Sequence, residues 1–293
     1  LARRLRLLVM VHAESGDMVA YLQKKLLAEG KTAAGYHPFS RPAEVEGDAA
    51  NRALLMARLA GVPLYIVHVS SRQGVEAMAA ARQSGQAVIG ETCPQYLLLD
   101  EERYQGGDDK AALSVMSPPL RAAEHQTALW EALGQGLVQT LATDHCPFPL
   151  AAKKKFAASD FTRIPNGCGG IEYRLSLLYS FGVRSGKISL ARFVDLVSTR
   201  AAKVFGLYPR KGTIRVGSDA DLVVWDPELK RTVSAAGQWQ CCDHTPYDGL
   251  RLHGGPRLVF SRGAAVFADG RIEADPGRGE YLARGRGDDG LRR

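Results

Sequence analysis

The chain has 293 residues, 45% hydrophobic and 24% charged, a globular composition that excludes a disordered, collagen-like or low-complexity fibre. Lys and Arg number 38 against 31 Asp and Glu; the charge of +7 is scattered, with no basic helix interleaved with aromatics, which reads as a solvated surface and not a nucleic-acid footprint. Five cysteines, with Cys241 and Cys242 adjacent and no CxxC spacing, indicate reduced thiols in a cytoplasmic chain, and the apolar runs fall well short of the roughly 20 residues of a membrane span.

The opening LARRLRLLVMVHAE is basic and then apolar, but the apolar part is cut off by His12 and Glu14, which argues against a secretory signal. There is no initiating Met and the chain opens almost directly on a strand-like run, so residues are expected to precede Leu1. LRLLVMVHAE (5–14), GVPLYIVHVSS (61–71), AVIGETCP (87–94) and LVQTLATDHCPF (137–148) are short apolar runs that break on polar groups, the pattern of parallel strands buried on both faces. Helices are predicted between them over 47–60, with Pro42 suited to the first turn before it, over 74–84 with Gly85 as the stop, and over 122–133. Two more follow, one marked by Ile171, Leu175 and Leu178 and one by Leu190, Phe193, Leu196 and Val204. Strands alternating with helices predict a parallel α/β fold, with about four βα units before residue 206, half of an eight-unit barrel.

From about Gly206 the pattern becomes antiparallel. KGTIRVGSDADLVVWDP (211–227) predicts a short strand, a turn on Gly217-Ser218-Asp219 and a second strand; LHGGPRLVFSRGAAVFADGRI (252–272) predicts strands joined by Arg-Gly and Asp-Gly turns. The expected organisation is a partial (β/α)8 barrel over 1–206, a small antiparallel β-sandwich portion over 207–276 and a disordered Gly/Arg-rich tail over 277–293.

His12, His68 and Asp144 stand at the C-terminal ends of three predicted parallel strands, where catalytic side chains gather in barrels. Imidazole and carboxylate are ligands that zinc accepts, so three such groups at strand ends point to a metal site. Singly, each has a plainer explanation as a satisfied structural residue or a turn cap. The other candidates read as structural: His37 belongs to a loop that starts a helix, Cys93 before a proline is a buried inert thiol, and Arg121 in SPPLR is a salt-bridge partner. The glycine-rich IPNGCGG (164–170) suits either a plain turn or backbone donors offered to a carbonyl oxygen.

In order along the chain, VHAESGDMV, YHPFSRPAEVEGDAANR, YIVHVSS, ETCPQYLLLD, VMSPPLR, TDHCPF, PNGCGGIEYRLSLLY and KGTIRVGSDADLVVWDP resemble the dihydropyrimidinase/hydantoinase family of cyclic amidohydrolases, over about Val9 to Asp269. The resemblance implies a (β/α)8 barrel with a β-sandwich built from both chain ends, and two zinc ions bridged by a carboxylated lysine. It implies that His12 and His68 hold one zinc, that Asp144 binds the other and handles the proton, and that main-chain groups at Ser117 and Asn166 hold the cyclic amide. The implied reaction opens a dihydropyrimidine or hydantoin ring to an N-carbamoyl amino acid; the substrate is a small cyclic ureide or imide, with no nucleic-acid or membrane partner, and the full-length protein is expected to be a cytoplasmic homotetramer.

The sequence departs from the family pattern at its start. None of the seven histidines (12, 37, 68, 125, 145, 244, 253) forms the family's His-x-His pair, and neither Lys24, Lys25 nor Lys153–Lys155 is placed to bridge. The chain therefore reads as a C-terminal portion of such an enzyme, lacking its N-terminal barrel half, with the activity expected of the full-length protein and not of the fragment. The alternatives are an allantoinase or dihydroorotase, and a non-catalytic scaffold like the collapsin response mediator proteins. Retention of His12, His68 and Asp144 together argues against the scaffold.

Overall fold

The computed structural model describes residues 1–285. Among the described residues two compact units form: Leu1–Arg174 with Val233–Leu250, and Leu175–Thr232 with residues 251–285. The boundary expected at 206/207 falls inside the second unit.

The first unit is built on four parallel strands in sequential order, β1 (Val9–Val11), β2 (Leu64–Ile66), β3 (Val88–Thr92) and β4 (Thr140–Leu141). The strands are shorter than the apolar runs that announced them; in the first and last, apolar residues precede the ladder, Leu7 and Leu8 before β1 and Leu137 and Val138 before β4. Tyr65 and Ile66 are buried, and helices of the unit cover the sheet with Met78, Leu129 and Leu133, also buried. The intervening helices follow the sequence signals. Ala43–Ala60 begins on Pro42 and ends at Gly61 in the left-handed region (φ 65°), and Arg72–Gln83 is followed by Gly85 (φ 81°). Ala123–Gln135 likewise stops on Gly136. A further short helix, Leu150–Lys154, carries Lys153 and Lys154.

The second unit carries an antiparallel sheet of four strands, β5 (Leu222–Thr232), β6 (Arg251–Ser261), β7 (Ala264–Ala268) and β8 (Arg271–Ile272). Both tight turns have two residues at positive φ, Arg262 (50°) with Gly263 (79°) and Asp269 (43°) with Gly270 (85°), the backbone that joins twisted hairpins without splaying them. The strand expected within 211–216 does not form. Lys211 is drawn instead to the carboxylates of Asp219 (2.8 Å) and Asp221, Arg210 bonds Asp219 at 3.0 Å, and this ionic clip closes the segment as a turn with Ile214 and Val216 exposed. The tail expected to be disordered is described as far as 285: Arg278 donates to the Ser261 carbonyl at 2.8 Å and the Gly285 N–H to Gly206 at 2.9 Å. Residues 286–293 lie outside the described residues.

The core of this unit is an aromatic cluster of Tyr179, Phe193 and Trp225, with centroids 5.3–5.9 Å apart. Gly254 (φ 76°) lies against it so closely that a Cβ there would be 2.4 Å from Tyr179 Cδ1. Gly254→Ala therefore combines left-handed strain with overlap against a ring, and a loss of about 2–4 kcal/mol is expected in urea unfolding followed by tryptophan fluorescence. Gly270→Ala, where nothing lies within 4 Å of the added carbon, isolates the strain and loses only about 1–2 kcal/mol.

Candidate active site

The register of the parallel sheet sets the site. Val11 pairs with Ile66, and the next rung, Val67 N–H to the Val11 carbonyl at 3.2 Å, carries the ladder to the residues that leave the strands. His12 follows β1 directly, His68 follows Val67, and Asp144 lies just beyond β4. His68 (φ 40°) and Asp144 (φ 47°) are both left-handed, uncommon for residues with a Cβ and a feature of chain that turns sharply at a strand end.

His12 Nδ1 and His68 Nε2 are 2.9 Å apart, with the rings nearly perpendicular. Two imidazole nitrogens this close can both stand about 2.0–2.1 Å from one divalent first-row ion, so the donor chemistry and spacing fit zinc. His68 is buried and its Nδ1 has no hydrogen-bond partner, whereas His12 is open to solvent. Burial first, and then the neighbouring His12, hold His68 below the ordinary imidazole range; Asp144 and Glu46 oppose them. Asp144 is exposed, and its charge is felt at His68, Glu91 and Cys93. His12, His68 and Asp144 do not close into a three-donor cluster at mutual ligand distance; among the described residues Cys242, Asp243 and His244 do.

A second layer that the sequence reading did not find holds the histidines. The buried Glu14 carboxylate sits 3.1 Å from His12 Nε2 and accepts from Arg41 at 2.5 Å. Burial raises its pKa, but the His12 bond and the Arg41 charge outweigh this and leave the group below the usual carboxylate range. By accepting a hydrogen bond from His12 Nε2–H, Glu14 favours the tautomer whose Nδ1 lone pair faces His68, an outer-sphere arrangement of the kind that orients ligating histidines. Behind His68, the buried Glu46 accepts from Ser70 N–H (2.9 Å), Ser71 N–H (3.3 Å), the Ser70 hydroxyl and Arg121 (3.3 Å), pinning the loop that follows the histidine. Arg121 also donates to the Arg41 carbonyl.

Ser117 and Asn166 meet: the Ser117 hydroxyl donates to Asn166 Oδ1 at 2.8 Å, and Asn166 Nδ2 donates to the Ile164 carbonyl at 2.9 Å. In the same glycine-rich turn, Gly170 N–H donates to His145 Nδ1 at 3.1 Å and Gly167 N–H to the Val115 carbonyl at 3.1 Å. Cys93 is fully buried and burial pushes its thiol well up, so it is no nucleophile. Lys24 and Lys25 lie on the helix Gly16–Ala28, while Lys153 is buried with its ammonium on the Val115 carbonyl at 2.5 Å and its pKa lowered by burial to about 8.

Residues 1–266 match the amidohydrolase family. The chain is 49% identical over 283 residues to the D-hydantoinase of Geobacillus stearothermophilus and 43% identical over 277 residues to that of Ralstonia pickettii, covering 97% and 94% of this chain and 60% of each relative. Among solved structures it is similar to the dihydropyrimidinase from Brevibacillus agri NCHU1002, with a TM-score of 0.96 and 47% identity, over 98% of this chain and 62% of that one. The chain thus spans about 60% of the length of the curated relatives it matches.

His37 lies apart from this chemistry. It is buried, its Nε2 is 2.8 Å from the Met116 carbonyl, and burial, opposed by that bond, lowers its pKa from 6.5 to about 4. The unfolded chain therefore binds a proton that the folded one refuses, so the contribution of a neutral His37 is complete above pH 6.5 and is lost as pH falls toward about 4. In paired urea titrations the stability of His37→Gln relative to the parent is expected to improve by roughly 3 kcal/mol across that window.

Proposed function

The chain belongs to the amidohydrolase family, in its hydantoinase and dihydropyrimidinase branch, and from that membership and the site geometry we propose that it serves the hydrolytic opening of a cyclic ureide or imide, a hydantoin or dihydropyrimidine, to an N-carbamoyl amino acid. The observation that carries this reading is the convergence of His12 Nδ1 and His68 Nε2 at 2.9 Å on a strand-end rim. His12 and His68 would hold one zinc ion, and Asp144 would serve a second. When bound, zinc supplies Lewis-acid polarisation of the carbonyl and a usable water nucleophile at neutral pH.

The chain's own residues do the rest. In the overall reaction, water adds its oxygen to the ring carbonyl carbon, the C–N bond breaks and the leaving nitrogen gains a proton. Asp144, with its carboxylate open to solvent, is the group to take the proton from water and return it to that nitrogen, base first and acid second. Main-chain groups at Ser117 and Asn166 orient the ring; the Ser117–Asn166 side-chain bond holds the two loops together and so keeps the reacting atoms in register. Glu14 keeps His12 in the ligating tautomer. Arg121 is committed to Glu46 and Ser70, which removes it as a clamp for a substrate carboxylate and disfavours dihydroorotate. A cytoplasmic homotetramer is part of this reading, to be checked by light scattering; no helix among the described residues is long and apolar enough to cross a membrane.

The test is a ring-opening assay on the protein that carries this sequence, with hydantoin, dihydrouracil, allantoin and dihydroorotate. Turnover of the first two is expected; turnover of dihydroorotate alone overturns the substrate class. Asp144→Asn is expected to lower kcat by about 10²–10⁴ with little change in KM. Glu14→Gln should weaken zinc binding by roughly 10–100-fold, read by metal analysis after dialysis against graded chelator.

A further inference from the structure

The three-donor cluster at Cys242, Asp243 and His244 lies outside the chemistry described so far, and all of it belongs to the first unit. Cys242 and His244 are buried, while the Asp243 side chain is half exposed. Cys241, in the left-handed region (φ 51°), leaves its own thiol outside and is followed by a thiol turned inward. Strain of this kind at a non-glycine residue persists only where the surroundings hold it.

Distances within the cluster match those of a small coordination sphere. Cys242 Sγ is 3.7 Å from His244 Nδ1, and His244 Nδ1 is 3.2 Å from Asp243 Oδ1. In a tetrahedron with metal–sulfur near 2.3 Å and metal–nitrogen or –oxygen near 2.0–2.1 Å, the corresponding edges are about 3.5 and about 3.3 Å. All three donor atoms lie within 4.8 Å of one another. The Asp243 carboxylate is already oriented, since both of its oxygens accept the Leu150 N–H, at 2.9 and 3.1 Å. Its exposure leaves an approach for an ion and a place for a water as fourth ligand. One thiolate, one imidazole and one carboxylate form a borderline-soft set, suited to zinc and its heavier congener cadmium over magnesium or calcium.

We propose that Cys242, Asp243 and His244 form a metal site separate from the His12–His68 rim, binding one zinc-class divalent ion and tying the segment 233–250 to the start of the helix Leu150–Lys154. The sulfur ligand makes it distinguishable from the rim, whose candidate ligands contain none, so this proposal and the hydrolase reading fail independently.

The experiment is a titration of the chelator-treated, reduced protein with Cd2+ alone, followed by the ultraviolet thiolate-to-metal charge-transfer band. One equivalent is expected to develop the band and an equivalent of zinc to displace it. Cys242→Ser and Cys242→Val are both expected to abolish the band, and His244→Gln to weaken Cd2+ binding at least tenfold. Cys146→Ser and Cys241→Ser, which remove the two exposed thiols, should leave it intact. Absence of a band in the parent, its persistence in a folded Cys242 variant, or its loss in Cys146→Ser or Cys241→Ser overturns the proposal. Should both Cys242 variants fail to fold, the cadmium NMR shift of the parent adduct decides: a single-sulfur environment supports the site, and an all-nitrogen-and-oxygen environment refutes it.

Discussion

A single backbone hydrogen bond, from Val67 N–H to the Val11 carbonyl, is the last rung of the ladder between β1 and β2, and the candidate chemistry stands on it. Parallel pairing fixes which residues leave adjacent strands at the same height, and here those are His12 and, after one more step and a left-handed turn, His68. The imidazoles meet because the sheet register delivers them together; Glu14 and Glu46 then remove the remaining rotational freedom, one through the ring of His12 and the other through the loop behind His68. Site and fold are the same structure at this point, since the buried strand residues that stabilise the sheet also space the ligands.

Much of this was legible in the sequence, and the reasons are physical. Apolar runs that break on His or Asp mark strand ends whatever the rest of the chain does, so β1, β2 and β4 and the polar groups beyond them were found. The strand lengths were not, because a run such as LVQTLATDHCPF is apolar at Leu137 and Val138 before its ladder begins, and only two of its residues pair as β4. The failed strand within 211–216 shows the opposite limit: alternation in a short segment yields to charge pairing when Lys211 can reach Asp219 and Asp221. Helix ends came within two residues of the observed ones at 60, 83 and 135, each followed closely by a glycine with positive φ, Gly61, Gly85 and Gly136, of which only Gly85 was recognised as a stop. The helical region beyond residue 174 includes π-helical turns at Tyr179–Val183 and Asp195–Thr199 that periodicity does not reveal.

The supporting carboxylates were invisible for a different reason. Glu14 in VHAE and Glu46 in AEVEGD look like ordinary polar residues at a loop and a helix start, and only their burial against Arg41 and Arg121 gives them a role. Cys242, Asp243 and His244 escaped because metal motifs are read by spacing, and three consecutive donors have none; it takes the turn after Cys241 to bring their side chains together. Ser117 and Asn166 carried no local signal either, and entered through family resemblance; their side chains meet across 49 positions of sequence.

The short strands have an evolutionary corollary. Side chains alternate across a strand with a period of two, so losing or gaining one codon inside VMVH would carry a methyl group to the rim in place of an imidazole while leaving composition almost unchanged. The loops past the rim, by contrast, absorb length freely, since chain closure grows only slowly with added residues. Drift in this architecture is therefore expected to accumulate as loop-length variation, with the few residues before each strand end held to a fixed count.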